Sequence, residues 1–469
     1  MTPSSMPATA SVLIIGGGLS GTLLALQLLR LPGARHIRIV EPRAELGRGE
    51  AYSATELGHT LNANAARMSI DPDNADDLTE WLSAYLAAGG WAQAHEQQVP
   101  VAELFPPRGL FGLYAQQRLA QAIEVGKARG SRLEHVRDEA VDLQLQHGGV
   151  RLRLASGEQL DGTCAVLATG MFAAAHTRSI GSDGLNNAAM DPWDVAAMRK
   201  LPVEAKVVII GSGLTMVDAL ASLDEAGHRG LVEVYSRHGL LPHVRRQPPA
   251  WPDFLADAPS ITSPRQVMAE LRRQCRLALV AGVDWQAPLD TVRVHIARLW
   301  SGASEAQKRQ FVRHVRPWWE SHHHRSPPQG AALLARWREQ GRLQVQAASF
   351  RGVKPAEGRL AVTLRRRGEA QASVVYADAL INSSGIEYDW RRVDKPLVRQ
   401  LLQRGLVTPG RLALGILASP DGAVIDAQGK ASPLLFAIGP PLRGMWWEST
   451  SVNDVASQAK ALAARLASN

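Results

Sequence analysis

Two short glycine turns are the residues in this chain best able to do chemistry. The first, Gly16-x-Gly18-x-x-Gly21, follows the apolar run Val12 to Ile15 and precedes Leu19, Leu23, Leu24 and Leu28 at helical spacing. The next apolar run, Ile37 to Val40, ends in Glu41. Each position has a physical reason. Gly16 permits a tight turn, Gly18 lets a pyrophosphate approach the backbone, and Gly21 lets helix and strand pack closely. Unpaired N–H groups at the helix start face the phosphates, and Glu41 accepts hydrogen bonds from a ribose. The second turn, Gly211-x-Gly213, follows Val207 to Ile210 and has Met216 where a third glycine would stand. Its next strand, Leu231 to Tyr235, ends in Ser236, Arg237 and His238 rather than in an acid. An acid there repels a 2′-phosphate, whereas the forked donors of arginine grip one. The second site therefore favours NADPH over NADH; the alternative for Arg237 is a solvated surface charge.

The elements that position these turns also come in pairs. "AVLATG" (Ala165 to Gly170) and "LINSSG" (Leu380 to Gly385) are later strands that echo the two copies, and Gly170 joins the cofactor-binding set. Ahead of each lies a β-rich, turn-punctuated segment, residues 133 to 164 and 343 to 379. The fold class that follows is α/β: two nested Rossmann-like dinucleotide-binding domains with β-meanders and a helical insertion. The expected boundaries are 1–175 with 384–469 for a discontinuous first domain and 200–383 for the second, the insertion occupying about 251–342. Within it "PRQVMAELRRQCRLALVAG" reads as an amphipathic helix with Val267, Leu271, Leu277 and Leu279 on one side.

Composition narrows the function classes. The chain has 469 residues, 45% hydrophobic and 20% charged, with no apolar run near the ~18 residues of a membrane span. The start, MTPSSMPATA, has no signal-peptide character and reads as a tail, so a cytoplasmic protein with no membrane partner is expected. Cys164 and Cys275 are the only cysteines, which argues against a disulfide framework, a thiolate zinc site or a flavin-linked dithiol. The net charge of +8 comes without a block of consecutive basic residues, so a nucleic-acid partner is not expected. His322, His323 and His324 invite a metal reading, but neighbours on a helix point about 100° apart and no cysteine or carboxylate pair completes a shell. No metal is expected there; the histidines belong to a binding surface or to a plain helical face.

"GRGEAYSATELGHTLNANAARMS", "GSGLTMVD" with "SRHGLLP", "HVRPWWESHHHR" and "GPPLRGMWWESTSVNDV" together span most of the chain. With the paired glycine turns, they make it similar to two-dinucleotide-binding-domain flavoproteins, the FAD/NAD(P)-binding family filed beside the N-hydroxylating flavin monooxygenases. The resemblance implies FAD in the first domain and NADPH in the second. It further implies that the loop after Glu41 runs toward the isoalloxazine, making Arg48, Tyr52 and Asn62 candidates for flavin contact. By the same resemblance the last helix starts at the pyrimidine end of the flavin, with Gly439 and Thr450 binding cofactor. A helix N-terminus there stabilises reduced flavin by roughly 0.3–1 kcal/mol. Trp447, Glu448 and Asn62 are the catalytic candidates; the alternative for the tryptophans is packing of a C-terminal hairpin. The implied reaction is hydroxylation of a small molecule, at an amine, another heteroatom or an activated carbon, by O2 through a flavin C4a-hydroperoxide. An NADPH-dependent reductase working without O2 and a non-catalytic FAD-binding protein remain open. Nothing in the sequence speaks to the oligomeric state.

Overall fold

The computed structural model describes residues 10–173 and 188–468. The N-terminal tail read from residues 1–10 and the expected boundary at 175 therefore lie almost wholly outside the described residues. The chain divides into two compact units, one of Met1–Ser53, Asn64–Phe172 and Glu387–Asn469, the other of Ala54–Ala63 and Ala173–Ile386. The ten-residue piece Ala54–Ala63 groups with the second unit, where its hydrogen-bond partners Glu225 and Ser222 lie.

In the first unit, β1 (Ala10–Ile15), α1 (Leu19–Arg30) and β2 (Arg35–Val40) form the opening turn of a parallel sheet. Helices α2 (Asp77–Ala87) and α3 (Arg108–Lys127) follow, then β3 (Arg132–Val136) beside β2. An antiparallel meander of β4 (Ala140–Gln146), β5 (Gly149–Leu154) and β6 (Gln159–Gly162) leads into β7 (Cys164–Leu167), which returns beside β1. The strand β8 (Phe172–Ala173) ends this pass.

The second unit repeats the scheme. After β9 (Ala189–Met190) and α4 (Val195–Met198), β10 (Val207–Ile210), α5 (Leu214–Glu225) and β11 (Val232–Ser236) form its parallel centre. A helical insertion follows: α6 (Pro264–Val280), α7 (Gln286–Val292), α8 (Ile296–Gly302), α9 (Glu305–Gln310), α10 (Arg316–His323) and α11 (Pro328–Glu339). The long β12 (Leu343–Ala356) runs parallel to β11 in its first half. It then continues past the sheet as one side of a meander with β13 (Arg359–Arg366) and β14 (Ser373–Ala377). β15 (Ala379–Asn382) comes back beside β10.

After β16 (Ile386–Glu387) the chain completes the first unit with α12 (Pro396–Gln403), β17 (Ala423–Ile425), β18 (Ala431–Ala437) and α13 (Val452–Ala467). The sheet orders are β17-β18-β7-β1-β2-β3 and β14-β13-β12-β11-β10-β15-β9. Continuous apolar strands such as "VLII" and "VVI" are buried on both faces; one side of each sheet packs against its antiparallel meander, Leu13 and Ile15 with Leu143 and Leu152, Val208 and Leu380 with Val362 and Leu364. Val455, Ala459, Leu462 and Leu466 are the buried face of α13. In α6 the expected stripe is half right: Leu277 and Leu279 are exposed at 45% and 77%, and Gln274 and Ala278 are buried instead. A period of 3.6 residues carries the face of Val267 and Leu271 through 274 and 278, not 277 and 279.

Candidate functional site

The first turn lies where β1 gives way to α1, at the carboxyl end of a parallel sheet, the edge at which open α/β sheets bind ligands. Gly16 has φ +106°, and a Cβ there would stand 2.3 Å from the Ala168 carbonyl oxygen. A Cβ on Gly21 would stand 2.0 Å from the Gly16 oxygen, so helix and strand are as close as backbones allow. Gly18 is the N-cap of α1 with no side-chain capping bond, which leaves the first amides of the helix open to an anion. Opposite it stands Gly49, φ +53°, where a Cβ would come within 3.1 Å of the Gly18 Cα. Together they form a cradle of bare backbone.

Glu41 is buried at the end of β2. Its Oε2 accepts from the Gly17 amide at 2.9 Å and its Oε1 from the Arg43 amide at 3.1 Å. Each oxygen keeps a second lone pair for a further donor. Gly170, φ +66°, has open space where a side chain would be, and beside it the buried Thr169 Oγ1 has no hydrogen-bond partner among the described residues. A buried hydroxyl without a partner next to an open cradle suits a polar ligand.

The loop after Glu41 is held from within. Arg48 donates to Gln116 Oε1 at 3.2 Å and to the Gly109 carbonyl at 3.2 Å, and pairs with Glu45 at 2.6 Å. The Tyr52 ring packs 4.6 Å from Phe111, and burial pushes its phenol up to about 12. The structure thus shows both side chains shaping the loop. Asn62 belongs to the second unit, where its carbonyl accepts from Arg245 Nε at 2.7 Å. The first-unit candidates Trp447 and Glu448 share the segment between β18 and α13 with Gly439 and Thr450. Gly439, φ +75°, lies so close to Ser20 that a Cβ would stand 2.4 Å from its Oγ, which brings this segment to the start of α1. Trp447 is 2% exposed and Glu448 half-buried.

Arg443 organises that segment, and sequence reasoning misses it. It is buried and donates to Tyr388 Oη at 2.7 Å and to Thr450 Oγ1 at 3.3 Å. Its guanidinium also lies 4.7 Å from the Trp447 ring centroid. The available signal is an arginine between Gly439 and the paired tryptophans, but its tyrosine partner is far away in the chain.

The second turn repeats the backbone logic with different side chains. Gly211 has φ +105°, with a would-be Cβ 2.1 Å from the Ser383 oxygen, and Gly213 caps α5 with open space around it. Met216 replaces the third glycine and is fully buried, so α5 is packed by a side chain where α1 is packed by backbone. Ser236 Oγ lies 2.8 Å from Ser212 Oγ and accepts from the Gly239 amide at 3.0 Å, fixing the turn that presents Arg237. Arg237 itself is exposed. In the insertion, His323 is the inward member of the three histidines, stacked 4.7 Å from Trp319, while His322 packs 4.4 Å from His243. No group of three His, Cys, Asp or Glu able to hold a metal occurs among the described residues.

Known proteins bear on this geometry. Residues 13–172 match the family described as FAD-NAD(P)-binding. Among solved structures, the ornithine N-hydroxylase of Kutzneria sp. 744 superposes with a TM-score of 0.66 at 14% identity, covering 98% of this chain and 99% of that one. The L-lysine 6-monooxygenase of Pseudomonas syringae gives 0.63 at 14%, covering 98% and 99%. The cadaverine monooxygenase of Erwinia amylovora, solved with FAD, gives 0.63 at 13%, covering 99% and 95%. The whole chain therefore shares the fold of these proteins, two α/β units each built on a parallel sheet. No curated protein matches the sequence. No described helix is long and apolar enough to cross a membrane.

Proposed function

We propose that this chain is an FAD- and NADPH-dependent monooxygenase that hydroxylates a small molecule, an amine nitrogen foremost. The observation that carries the reading is the contrast between two equivalent turns: the first strand after one ends in buried Glu41, the strand after the other in exposed Arg237. That contrast suits an unphosphorylated ribose in one unit and a 2′-phosphate in the other. The kind of reaction is supported by the fold shared end to end with ornithine, lysine and cadaverine hydroxylases. Bound FAD supplies the transfer of a hydride's two electrons from NADPH and the activation of O2.

The protein's own residues bind, shape and stabilise around that group. Gly16, Gly18 and Gly49 admit the diphosphate against bare amides, and Glu41 offers its free lone pairs to the ribose hydroxyls. Gly170 would leave room beside Thr169 for the cofactor. Arg48 and Tyr52 keep the loop after Glu41 in shape. Ser451 caps α13 without a side-chain bond, so the first amides of that helix can stabilise negative charge brought near them. Gly439 and Thr450 position that helix start, with Trp447 and Glu448 beside it. Gly211, Gly213, Ser236 and Arg237 hold the second dinucleotide. The two cysteines argue against a dithiol reductase: Cys164 is buried with its thiol pushed up to about 11, and burial also raises that of Cys275.

The test is spectroscopic and then chemical. The purified protein should show an oxidised-flavin spectrum that NADPH bleaches faster than NADH under argon. In air, a panel of primary amines including ornithine, lysine and cadaverine should yield one product heavier by a single oxygen. NADPH oxidation coupled to substrate reduction at the same rate without O2 would replace the reading with a reductase. Protein that stays colourless after reconstitution with FAD would remove it altogether.

A further inference from the structure

The second turn has a further cation close by, on a different element. β12 pairs with β11 in parallel only as far as Ser236 against Ala347, then leaves the sheet and turns antiparallel to β13. The last residue pair of that meander, Ala348 with Arg366, brings the end of β13 back to the carboxyl edge of β11. The Arg367 amide donates to the Ala347 carbonyl at 2.8 Å, which fixes Arg367 beside the residue that pairs with Ser236. Its Nη1 lies 3.4 Å from His238 Nδ1. The other arginines of this hairpin with ion pairs point elsewhere: Arg359 pairs with Asp378 at 2.8 Å and Arg366 with Glu369 at 4.0 Å. Among the described residues neither Arg237 nor Arg367 makes an ion pair.

Two exposed guanidinium groups around one imidazole, neither in an ion pair among the described residues, repel each other, and an anion relieves the repulsion. Burial first, then Arg237 and Arg367, hold the His238 imidazole below its usual range. Neutral His238 accepts from Arg367 through Nδ1 and steers the guanidinium. On its other side the His238 ring tilts at 49° against Trp318 of α10, centroids 6.1 Å apart, which keeps it from swinging out.

We propose that Arg367, oriented by His238, is the second half of a clamp with Arg237 that selects a nucleotide bearing a phosphate on its ribose. The inference rests on the NADPH reading above and adds to it a residue more than a hundred positions from the turn. Two forks on one phosphate match its oxygens better than a single arginine, and each charge-assisted pair contributes about 1.5–3 kcal/mol.

The experiment is calorimetric titration of the purified holoenzyme with 2′,5′-ADP and, separately, with AMP. Wild type should bind 2′,5′-ADP much more tightly than AMP. R367Q should lose roughly 10- to 100-fold for 2′,5′-ADP, as expected for a charge-assisted bond, and nothing for AMP. R367K should recover part of the loss, because a point charge lacks the fork. H238A should weaken 2′,5′-ADP less than R367Q does and add nothing in an R367Q background, the signature of a residue acting through Arg367. Unchanged 2′,5′-ADP binding in R367Q, alongside a loss in R237Q, overturns this proposal and leaves the NADPH reading standing. A wild type that does not prefer 2′,5′-ADP over AMP overturns both.

Discussion

At the scale of single residues, the first site depends on atoms that are missing. Gly49 has φ +53° and faces Gly18 across a gap in which one added Cβ would sit 3.1 Å from the opposing Cα. An alanine in left-handed conformation costs roughly 1–2 kcal/mol, and here its methyl also stands where the cradle must admit a diphosphate. Gly49→Ala should therefore lower the flavin retained per chain after desalting much more than it lowers the melting temperature of flavin-free protein. Equal effects on both would mean that Gly49 serves only the loop. Glu41 gives a complementary case. Its carboxylate satisfies the Gly17 amide at 2.9 Å in a buried place. Removing it strands a donor at a cost of about 1–3 kcal/mol, while an amide keeps an acceptor oxygen. Melting of the flavin-free protein should fall in the order wild type, Glu41→Gln, Glu41→Ala; an alanine variant as stable as wild type would show that the bond carries nothing.

At the scale of elements, the segment Ala54–Ala63 departs from its neighbours in sequence and joins the second unit. The Gly58 amide donates to Glu225 Oε1 at 3.0 Å, His59 Nε2 lies 2.7 Å from Ser222 Oγ, and Glu56 pairs with Arg199 at 3.3 Å. Two of these partners are on α5, the helix that opens with Gly213. His59 and Ser222 are both fully buried, so Ser222→Ala leaves the imidazole without its partner. Hydrogen exchange followed by mass spectrometry should show faster exchange confined to residues 55–63, with β10 and β15 unchanged. Exchange that rises across the whole second unit would instead indicate a loosened core. What the sequence disclosed and what it concealed divide along the same line. The glycine turns, the strands behind them, the paired later strands and the buried face of α13 all repeat within a few residues, so periodicity exposes them. The clasp on Ala54–Ala63 and the grip of Arg443 on Tyr388 join residues tens to hundreds of positions apart, where composition carries no signal. The face of α6 failed for a different reason: Leu277 and Leu279 are apolar but exposed, and hydrophobic type alone does not give direction.

At the scale of the whole molecule, charge and burial combine into a dependence on pH. The chain already carries +8 with its histidines neutral, and acid adds to this through 14 of them. Among the described histidines whose charged form is disfavoured, His228 is the buried one. It is 4% exposed and stacked at 27° on fully buried Trp337. Burial, reinforced by Arg342, holds its imidazole below the usual value, so the folded chain keeps it neutral. The unfolded chain takes the proton near pH 6.5. Between that value and the lower folded one the unfolded state binds more protons, so stability falls as pH falls and is unaffected above about 7.5. His243 is lowered in the same direction by burial, then by His322 and Arg325, but it is exposed and contributes less. A thermal scan from pH 8 to pH 5 should show a flat plateau at the alkaline end and a decline below about 6.5. For a domain of 150–250 residues, each kcal/mol is worth about 2–4 °C. His228→Phe keeps a ring on Trp337 and removes the titration, so its decline should be shallower than that of the wild type while the plateau moves little. A His228→Phe protein that loses stability in acid as steeply as the wild type would assign the pH dependence to the accumulated surface charge, and the slope should then flatten with added salt.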